Sequence, residues 1–377
     1  MSKQKIDFAG LKAQYARIKP EVARRIQSVL DHGQFILGPE VGELETALAA
    51  RSGAKHAIGV SSGTDALIMA LMAEGIGAGD AVFVPSFTFT ASAEVVLLLG
   101  ATPVFVEVDA HTFNIDAADL DRRATEVARA GKLLPRAVIS VDLFGQPADY
   151  GALDSLCRRH ALFLIADAAQ SYGAKLGNRA VGALAPATAA SFFPAKPLGA
   201  YGDGGALLTD DDERAAHYRS IRAHGKGDDK YDIVRLGLNA RLDTLQAAIL
   251  MAKLTVFDDE LAARERLSRF YDSRLRGAVG IPYRVPDAVS AWAQYCILVD
   301  RRDEVARSLK EAGVPTAIYY PRPMHLQTAY ARFGGGPGSL PVSERLCERV
   351  LALPMNPYLD DITAECVAAA VCEAVSS

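Results

Sequence analysis

The residue of this sequence best suited to covalent chemistry is Lys196, within Ser191-Phe192-Phe193-Pro194-Ala195-Lys196-Pro197-Leu198-Gly199. Two aromatic residues and two prolines surround its amine, and the run at 201–205 leads into an apolar segment typical of a buried strand. Apolar surroundings lower a lysine pKa from about 10 and free the amine to condense with an aldehyde. The alternative is a lysine whose stem lies on apolar surface while its charge reaches solvent.

A second stretch has the residue types that bind an anion. Ser61-Ser62-Gly63-Thr64-Asp65 separates a predicted strand from a predicted helix that starts at Ala66. Backbone N–H groups are free at a helix N-terminus, so a phosphate would bind there, and the hydroxyl of Ser191 could reach the same phosphate. The alternative is that Ser62 or Thr64 only caps the helix.

An aspartate ends the apolar run at 162–166, where Asp167 precedes Ala-Ala-Gln-Ser at 168–171. A buried carboxylate is costly unless it has a partner, and a protonated pyridine nitrogen is one such partner. The pairing keeps the ring cationic, so that it can draw electrons from a substrate carbanion. Without a cofactor, Asp167 could instead cap a helix or join an ion pair.

Two further segments carry candidate binding residues. Pro85-Ser86-Phe87-Thr88-Phe89-Thr90 follows another strand end, so one aromatic side chain could lie against a flat ring, although most such aromatics are core. Asn239-Ala240-Arg241-Leu242-Asp243 opens a helix, where Arg241 suits a carboxylate or phosphate and Asn239 suits a hydrogen bond. The alternative for this second segment is a simple helix cap.

The scaffold that must position these residues is predicted from the hydrophobic pattern. Short apolar runs alternate with amphipathic helices from His56 to about Leu208, which is typical of a mostly parallel sheet covered on both faces. In such α/β folds, ligands collect beyond the carboxyl ends of the strands. Strands are predicted at 57–60, 81–84, 104–106, 137–141, 162–166, 189–192 and 205–208.

Helices flank this sheet, and the composition changes beyond it. N-terminal helices are predicted at 11–30 and about 39–50, a further helix at 211–223, and one long helix from Arg241 to the Arg274 region. A smaller C-terminal α+β domain follows, with strands at 293–299 and 315–319 and helices at 302–312, 342–351 and 363–375. We therefore expect a large domain over 1–255, which includes the N-terminal helices, and a small domain over 256–377.

Composition excludes several classes of protein. The net charge of -4 and the lack of a dense basic run argue against nucleic acid as a partner. Residues 1–5 lead into mixed polar sequence and no apolar run reaches spanning length, so we expect no membrane partner and a cytoplasmic location. The five cysteines form no Cys-x-x-Cys pair and the seven histidines show no metal-ligand spacing, so we expect reduced thiols and no metal site.

An anion-binding helix start, a buried aspartate and an apolar-flanked lysine, in this chain order, together describe the site of pyridoxal 5′-phosphate (PLP). The sequence resembles the sugar aminotransferases of the DegT/StrS family, which have the aspartate aminotransferase-like fold, known as fold type I. The resemblance covers nearly the whole chain. The motifs that carry it are Gly-Gln-Phe-Ile-Leu-Gly-Pro-Glu at 33–40, Ser-Gly-Thr-Asp-Ala at 62–66, Asp-Ala-Ala-Gln-Ser at 167–171, Ser-Phe-Phe-Pro-Ala-Lys-Pro-Leu-Gly at 191–199, Tyr-Gly-Asp-Gly-Gly at 201–205 and Asn-Ala-Arg-Leu-Asp at 239–243.

The resemblance implies a role for each motif residue. Lys196 would bind the cofactor aldehyde and shuttle protons, and Asp167 would pair with the pyridine nitrogen. The remaining cofactor contacts would come from Gly63, Thr64 and Ser191 at the phosphate, Phe89 and Gln170 at the ring, and Asn239 of the neighbouring subunit at the phosphate. The active form would therefore be a homodimer with composite sites. The family often has Asn where this chain has Pro197, and Tyr or Trp where it has Phe89, but neither departure removes a needed group.

The resemblance also implies a substrate. The sequence looks most like the branch that moves the amino group of L-glutamate to carbon 3 of a UDP-linked 2-acetamido-3-keto-hexuronic acid, for surface polysaccharides such as lipopolysaccharide O-antigen. Arg241 would face the uronate carboxylate, and Tyr319, Tyr320 and His325 would reach the partner's sugar site. A dTDP-linked 3-keto-6-deoxy sugar and a 4-keto sugar are alternatives. Related dehydratases replace the lysine, and a non-catalytic sensory protein is the alternative outside enzymes.

Overall fold

The computed structural model describes residues 6–229 and 231–376. The predicted absence of an N-terminal membrane-directing segment rests on residues 1–5, which lie outside the described residues. Among the described residues, no helix is both long enough and apolar enough to cross a bilayer.

The centre of the molecule is a mostly parallel sheet, as predicted. Within the described residues it has seven strands in the order β1-β9-β8-β5-β4-β2-β3, and β9 alone runs antiparallel to its neighbours. Two short strands between β5 and β8 form a hairpin that pairs with β10 at 288–289. The strands up to β10 are β1 His56–Val60, β2 Asp80–Pro85, β3 Thr102–Val106, β4 Leu134–Val141, β5 Phe163–Asp167, β6 Lys175–Leu176, β7 Arg179–Ala180, β8 Ala187–Ser191, β9 Gly205–Thr209 and β10 Ala288–Val289.

Helices cover both faces of this sheet and build the C-terminal part. They are α1 Leu11–His32, α2 Pro39–Ser52, α3 Gly63–Ala73, α4 Ala91–Leu98, α5 Ala117–Ala130, α6 Tyr150–His160, α7 Asp212–Arg222, α8 Thr244–Leu254, α9 Phe257–Leu275, α10 Arg302–Glu311, α11 Pro341–Arg349 and α12 Asp361–Ser376. The strands of the sheet are almost fully buried, because β2 and β9 have no exposed residue and apolar clusters lie on both faces. This burial explains why the strands read as continuous apolar runs.

The C-terminal part has its own two-stranded antiparallel sheet, formed by β11 Tyr295–Leu298 and β12 Val350–Leu353. Its apolar cluster draws on α9, β11, α10, β12 and α12, and includes Tyr271, Ile297 and Val367. This cluster is consistent with the proposed small domain over 256–377. The other face of the same two strands contributes Cys296 and Ala352 to the cluster under the large sheet, so the two parts pack together.

The structure corrects three predictions of secondary structure. The predicted long helix is two helices, because Thr255 and Val256 interrupt it; both are β-branched, and the Thr255 hydroxyl donates to the carbonyl of Ala252 at 2.6 Å. The predicted helix at 342–351 ends at Arg349, and its apolar end is strand β12.

The segment 315–319 is the third correction, since it forms no strand. Only Ala317 pairs with the neighbouring sheet, through two backbone hydrogen bonds to Ala352. The chain then turns away toward the large domain, where Tyr319 and Tyr320 lie beside its apolar cluster. Because the chain turns here, the pairing with β12 ends after the single pair Ala317–Ala352.

The carboxyl ends of β1, β2, β4, β5 and β8 meet at one edge of the sheet, because these strands point the same way. The loop at 62–64 follows β1, the aromatic loop at 86–90 follows β2, and Asp167 and Ser191 are the last residues of β5 and β8. Residues distant in sequence are therefore brought to one place, as the rule for open α/β sheets predicts.

Candidate active site

The loops at this edge enclose a cavity of about 420 Å³. It contains most of the predicted site residues, namely Gly63, Thr64, Phe89, Asp167, Gln170, Ser191, Lys196, Tyr319 and Tyr320. A larger surface groove, of about 870 Å³ between α2, α8 and α9, contains none of them. The strand-end cavity is therefore the candidate active site.

The start of helix α3 forms one wall of the cavity. Ser62 is the cap of this helix, and its hydroxyl accepts a hydrogen bond from the backbone N–H of Asp65 at 3.0 Å. The capping alternative is thus correct for Ser62, while the hydroxyl of Thr64 forms no hydrogen bond with the described residues. A Cβ added at Gly63 would lie 2.7 Å from the Cβ of Ser191, so glycine is needed for this close approach. The result is a small concave surface of N–H and hydroxyl groups, suited to a phosphate.

Asp167 lies at the floor of the cavity and is 6% exposed. Its Oδ2 accepts a hydrogen bond from the hydroxyl of Ser92 at 2.8 Å, and its Oδ1 accepts one from the backbone N–H of Ala169 at 3.2 Å. Burial raises the pKa of Asp167, while these hydrogen bonds and the charge of Lys196 oppose the shift. The carboxylate is therefore oriented and has a face left for a cationic ligand.

Lys196 projects into the same cavity from the loop that follows β8. The loop is a tight turn: the N–H of Lys196 donates to the carbonyl of Phe193 at 2.8 Å, and a Cβ on Gly199 would meet the carbonyl oxygen of Pro194 at 2.4 Å. Burial lowers the pKa of the Lys196 ammonium, and the charge of Asp167 opposes that shift. A half-buried amine with a lowered pKa is a better nucleophile at neutral pH than a surface lysine.

Aromatic and amide groups form the rest of the wall. Gln170 accepts a hydrogen bond from the backbone N–H of Phe144 at 2.6 Å and donates one to the phenol oxygen of Tyr320 at 3.2 Å. The ring of Tyr320 lies 6.1 Å from the ring of Phe89, measured between centroids. Phe89 is 54% exposed, so one face of its ring is open to a flat ligand.

Three predicted residues lie outside the cavity of their own chain. Asn239 and Arg241 lie beside β1, where Arg241 pairs with Val60, and the guanidinium of Arg241 donates to the amide oxygen of Asn239. His325 is fully buried, with its Nδ1 2.6 Å from the hydroxyl of Ser86 and its Nε2 3.1 Å from Glu344. Both ring nitrogens of His325 are thus already used, and this geometry favours a structural role over sugar binding.

The sequence reasoning missed three residues. Ser92 holds Asp167, and Asp142 lies buried at the end of the neighbouring strand β4. The signal that identified Asp167, a carboxylate after an apolar strand, applies equally to Asp142. Gln294 lines the cavity, and its buried amide oxygen has no hydrogen-bond partner among the described residues. Nothing in the local sequence distinguishes Ser92 or Gln294, since both act through contacts distant in the chain.

The residues of the cavity fit PLP. Gly63, Thr64 and Ser191 could hold its phosphate, the free face of Asp167 its ring nitrogen, and Lys196 its aldehyde carbon. When bound, PLP supplies an electron sink that stabilises negative charge at the carbon next to a substrate amine. The groups of this chain would orient the ring, keep water away and move a proton at the amine of Lys196.

Known proteins resemble this chain over nearly its whole length. The profile of the DegT/DnrJ/EryC1/StrS aminotransferase family matches residues 16–372. A UDP-2-acetamido-2-deoxy-3-oxo-D-glucuronate aminotransferase of Pseudomonas aeruginosa is 45% identical over 97% of this chain and 99% of its own. A pleiotropic regulatory protein of Geobacillus stearothermophilus is 43% identical over 94% and 95%. A dTDP-3-amino-3,4,6-trideoxy-alpha-D-glucose transaminase of Streptomyces venezuelae is 41% identical over 94% and 92%.

Solved structures agree with the sequence matches. A DegT/DnrJ/EryC1/StrS aminotransferase from Brucella abortus has a TM-score of 0.95 and 48% identity, and the match covers 97% of this chain and 98% of that one. NtdA from Bacillus subtilis, solved with bound pyridoxamine phosphate, has a TM-score of 0.90 and 26% identity, and the match covers 100% of this chain and 86% of that one. The predicted fold class and cofactor are both confirmed. The chain belongs to the DegT/DnrJ/EryC1/StrS aminotransferase family of PLP-dependent sugar aminotransferases.

Proposed function

We propose that this enzyme transfers the amino group of L-glutamate to carbon 3 of a UDP-linked 2-acetamido-2-deoxy-3-keto-hexuronic acid, in the biosynthesis of a surface polysaccharide. The observation that carries the aminotransferase chemistry is that Lys196 and Asp167 face one cavity beside the start of α3. The nucleotide and the keto position rest on the similarity to the 3-oxo-glucuronate aminotransferase. We also propose that the enzyme acts in the cytoplasm.

The roles of the cavity residues form part of this proposal. Lys196 binds the cofactor and carries the proton that is transferred, because its side chain is half-buried in the cavity and its pKa is lowered there. Asp167 holds the ring nitrogen in its protonated state, since its carboxylate is fixed by two hydrogen bonds and still lines the cavity. Phe89 and Gln170 bracket the ring. Tyr319 and Tyr320 were expected to reach the partner's sugar site, but they line the cavity of their own chain, so a sugar bound in that cavity would contact them there.

Arg241 is the group proposed to recognise the uronate carboxylate. Its guanidinium forms no ion pair with a carboxylate of the described chain, and its buried Nε has no hydrogen-bond partner there. An arginine with an unused charge and a planar donor set is suited to bind a carboxylate through two hydrogen bonds. This unused charge favours an acidic sugar over a neutral one.

A homodimer with composite sites completes the proposal. Asn239 and Arg241 lie outside their own chain's cavity, next to segments that expose large apolar side chains. Phe35, Ile36 and Leu37 are 41–52% exposed, and Ile36 pairs with Asp243 beside Arg241. Leu236, which lies three residues before Asn239, is 86% exposed. Apolar surface of this kind marks a protein interface, and a second copy seated there would bring Asn239 and Arg241 to the partner's cavity.

The experiment that tests the substrate is a product assay. The purified PLP-loaded protein is incubated with L-glutamate and a panel of nucleotide-linked keto-sugars, and the aminated product is identified by mass spectrometry. We expect product from the UDP-linked 3-keto-uronate with the highest kcat/KM. Faster amination of a dTDP-linked 3-keto-6-deoxy sugar, or of a 4-keto sugar, would replace the proposed substrate.

A dTDP-linked substrate is the second candidate because one similar protein is a dTDP-sugar transaminase. A non-catalytic regulatory role is the candidate of another class, since another similar protein is named a regulatory protein. The same assay separates these candidates. No conversion of bound PLP to its amine form by glutamate, together with no product from any sugar, would favour a non-catalytic regulatory protein.

A further inference from the structure

Two neighbouring strands of the sheet each lead into a buried aspartate. β5 ends at Asp167, which faces the cavity, and β4 is followed directly by Asp142, which is completely buried and does not line the cavity. The backbone N–H of Asp142 donates to the carbonyl of Asp167 at 3.1 Å. No ion pair links Asp142 to a cation in the described part of the chain, so its burial requires another explanation.

Both carboxylate oxygens of Asp142 accept hydrogen bonds. Oδ1 accepts from the backbone N–H of Ala148 at 2.9 Å and from the phenol of Tyr150 at 2.8 Å, while Oδ2 accepts from the hydroxyl of Ser171 at 2.7 Å. All these partners can act as donors, which suits an ionised carboxylate better than a neutral amide. The surroundings of Asp142 therefore require a side chain that accepts hydrogen bonds at both of its terminal atoms.

These hydrogen bonds connect the two loops that position Gln170. Ser171 is the next residue after Gln170, so Asp142 holds the turn that carries the glutamine. Phe144, two residues after Asp142, donates its backbone N–H to the amide oxygen of Gln170 at 2.6 Å. Asp142 is thus located where both loops meet, behind the cavity wall.

No positively charged side chain lies among the groups of the described residues that act on the charge of Asp142. The titratable groups that face it are Tyr150 and Asp167, and Lys196 lies beyond Asp167 in the cavity. Burial raises the pKa of Asp142 to about 7, and the charge of Asp167 adds to that rise, while the hydrogen bonds from Ala148, Ser171 and Tyr150 oppose it. The Asp142 carboxyl is therefore partly ionised at neutral pH and carries its full charge above it.

We propose that Asp142 is a positioning residue for the cofactor site, where it fixes Gln170 and places a second negative charge behind Asp167. The inference rests on the proposed placement of PLP against Asp167. A second negative charge favours the protonated, cationic state of the bound ring, because opposite charges attract strongly where water is excluded. Asp142 acts through Asp167 and Gln170 and touches no substrate.

The test is a spectral pH titration of the PLP-loaded protein, with Asp142→Asn compared with wild type between pH 6 and 9. We expect the midpoint of the change in bound-PLP absorbance to fall by about half a unit to one unit, since less negative charge stabilises the protonated form less. Asp149→Asn is the matched control, because Asp149 is an exposed helix cap on the same segment and loses the same charge. Its midpoint should stay at the wild-type value.

A second pair of variants keeps the charge and removes one donor each. Tyr150→Phe and Ser171→Ala should shift the midpoint in the same direction by less than Asp142→Asn, because Asp142 becomes harder to ionise. These variants decide the question if Asp142→Asn does not fold. Wild-type midpoints in all variants that fold, or an equal shift in Asp149→Asn, would overturn the inference.

The positioning of Gln170 has a separate readout. The dissociation constant of PLP is measured for Asp142→Asn, Gln170→Leu and the double variant. If Asp142 acts through Gln170, the double variant will lose less binding free energy than the sum of the losses in the two single variants. A loss equal to that sum would refute this part of the inference. These measurements need no sugar substrate, so they can succeed even if the proposed uronate is not aminated.

Discussion

The hydroxyl of Ser92 lies 2.8 Å from Oδ2 of Asp167 and donates a hydrogen bond to it from the start of α4. Ser92 is completely buried, so water does not replace this bond. Loss of one such hydrogen bond to a charged group costs about 1.5 kcal/mol, so we expect Ser92→Ala to lower turnover by about 10-fold, as measured by steady-state kinetics.

The control for Ser92→Ala is Ser52→Ala, which removes another buried serine hydroxyl, in α2 and outside the cavity. Ser52→Ala should keep wild-type turnover. An unchanged turnover in Ser92→Ala, with the fold intact, would show that the hydrogen bond does not orient Asp167 for catalysis.

Replacing Asp167 itself should have a larger effect. Asp167→Asn should still bind PLP, because the proposed phosphate contacts lie at the start of α3, but it should lose about 100-fold or more in turnover. The reason is that a neutral amide stabilises a protonated ring nitrogen poorly. Equilibrium binding of PLP and kinetics of both half-reactions measure the two effects. Turnover at the wild-type level would limit Asp167 to a structural role.

Covalent attachment of PLP should occur at Lys196. The loaded protein should be yellow, and borohydride reduction followed by peptide mapping should place the cofactor on the peptide that contains Lys196. Lys253 is a stringent control for the labelling, because burial also lowers the pKa of its ammonium, in this case to about 8. Lys253 lies away from the cavity, so it should carry no label. Label on Lys253 would refute the assignment of the cofactor lysine.

The composite site predicts complementation between chains. Mixing Lys196→Ala chains with Arg241→Ala chains should restore activity that neither variant has alone, because one of the two sites in the mixed dimer contains only wild-type groups. Subunit exchange is confirmed first, by native mass spectrometry. If exchange occurs and activity does not return, Arg241 serves the site of its own chain.

Arg241 should also determine the affinity for an acidic sugar. Arg241→Ala should raise KM for the 3-keto-uronate by roughly 10- to 100-fold, the scale of a charge-assisted bidentate contact. The matching neutral keto-sugar, with no carboxylate, is the control and should show a smaller change. An unchanged KM for the uronate would shift the preferred substrate toward a neutral keto-sugar.

The buried ammonium of Lys253 should reduce stability in a pH-dependent way. Lys253 is 1% exposed, and its Nζ has no hydrogen-bond partner in the described residues. The Nζ lies 4.4 Å from the ring centroid of Tyr201, and the charge of Glu260 partly opposes the effect of burial. Burial lowers its pKa from 10.5 to about 8. The unfolded chain therefore binds more protons than the folded chain between these values, so the free energy of unfolding should rise with pH across about 8 to 10.5.

Lys253→Met should accordingly stabilise the protein by about 1 to 3 kcal/mol at pH 7, with a gain that shrinks as the pH rises toward 10. Urea denaturation at pH 7 and pH 9.5 measures the difference. Lys19→Met removes the same charge at an exposed position of α1 and should change little. A gain that is equal at both pH values would mean that lost polarity, and not lost charge, stabilises the variant.

The sequence alone determined the α/β sheet and the parts of the site that depend on local pattern. Buried parallel strands must be apolar along their whole length, so each strand of the large sheet could be found to within a few residues. Lys196, Asp167 and the loop at 62–64 were identified as candidates because each interrupts or follows such a run with a residue of unusual chemistry. Parallel strand ends must meet at one edge, which is why these residues could be expected to converge.

Only the tertiary structure decided the contacts between distant segments. Ser92 and Gln294 have no distinctive sequence context. Ser92 was singled out by its hydrogen bond to Asp167, and Gln294 by its place in the cavity wall. The apolar run at 350–353 fits a helix or a strand equally well, and pairing with β11 made it a strand. His325 was predicted at the sugar site, but the fold surrounds it with Ser86 and Glu344. Hydrogen bonding and burial depend on which segments meet, and local pattern does not encode that.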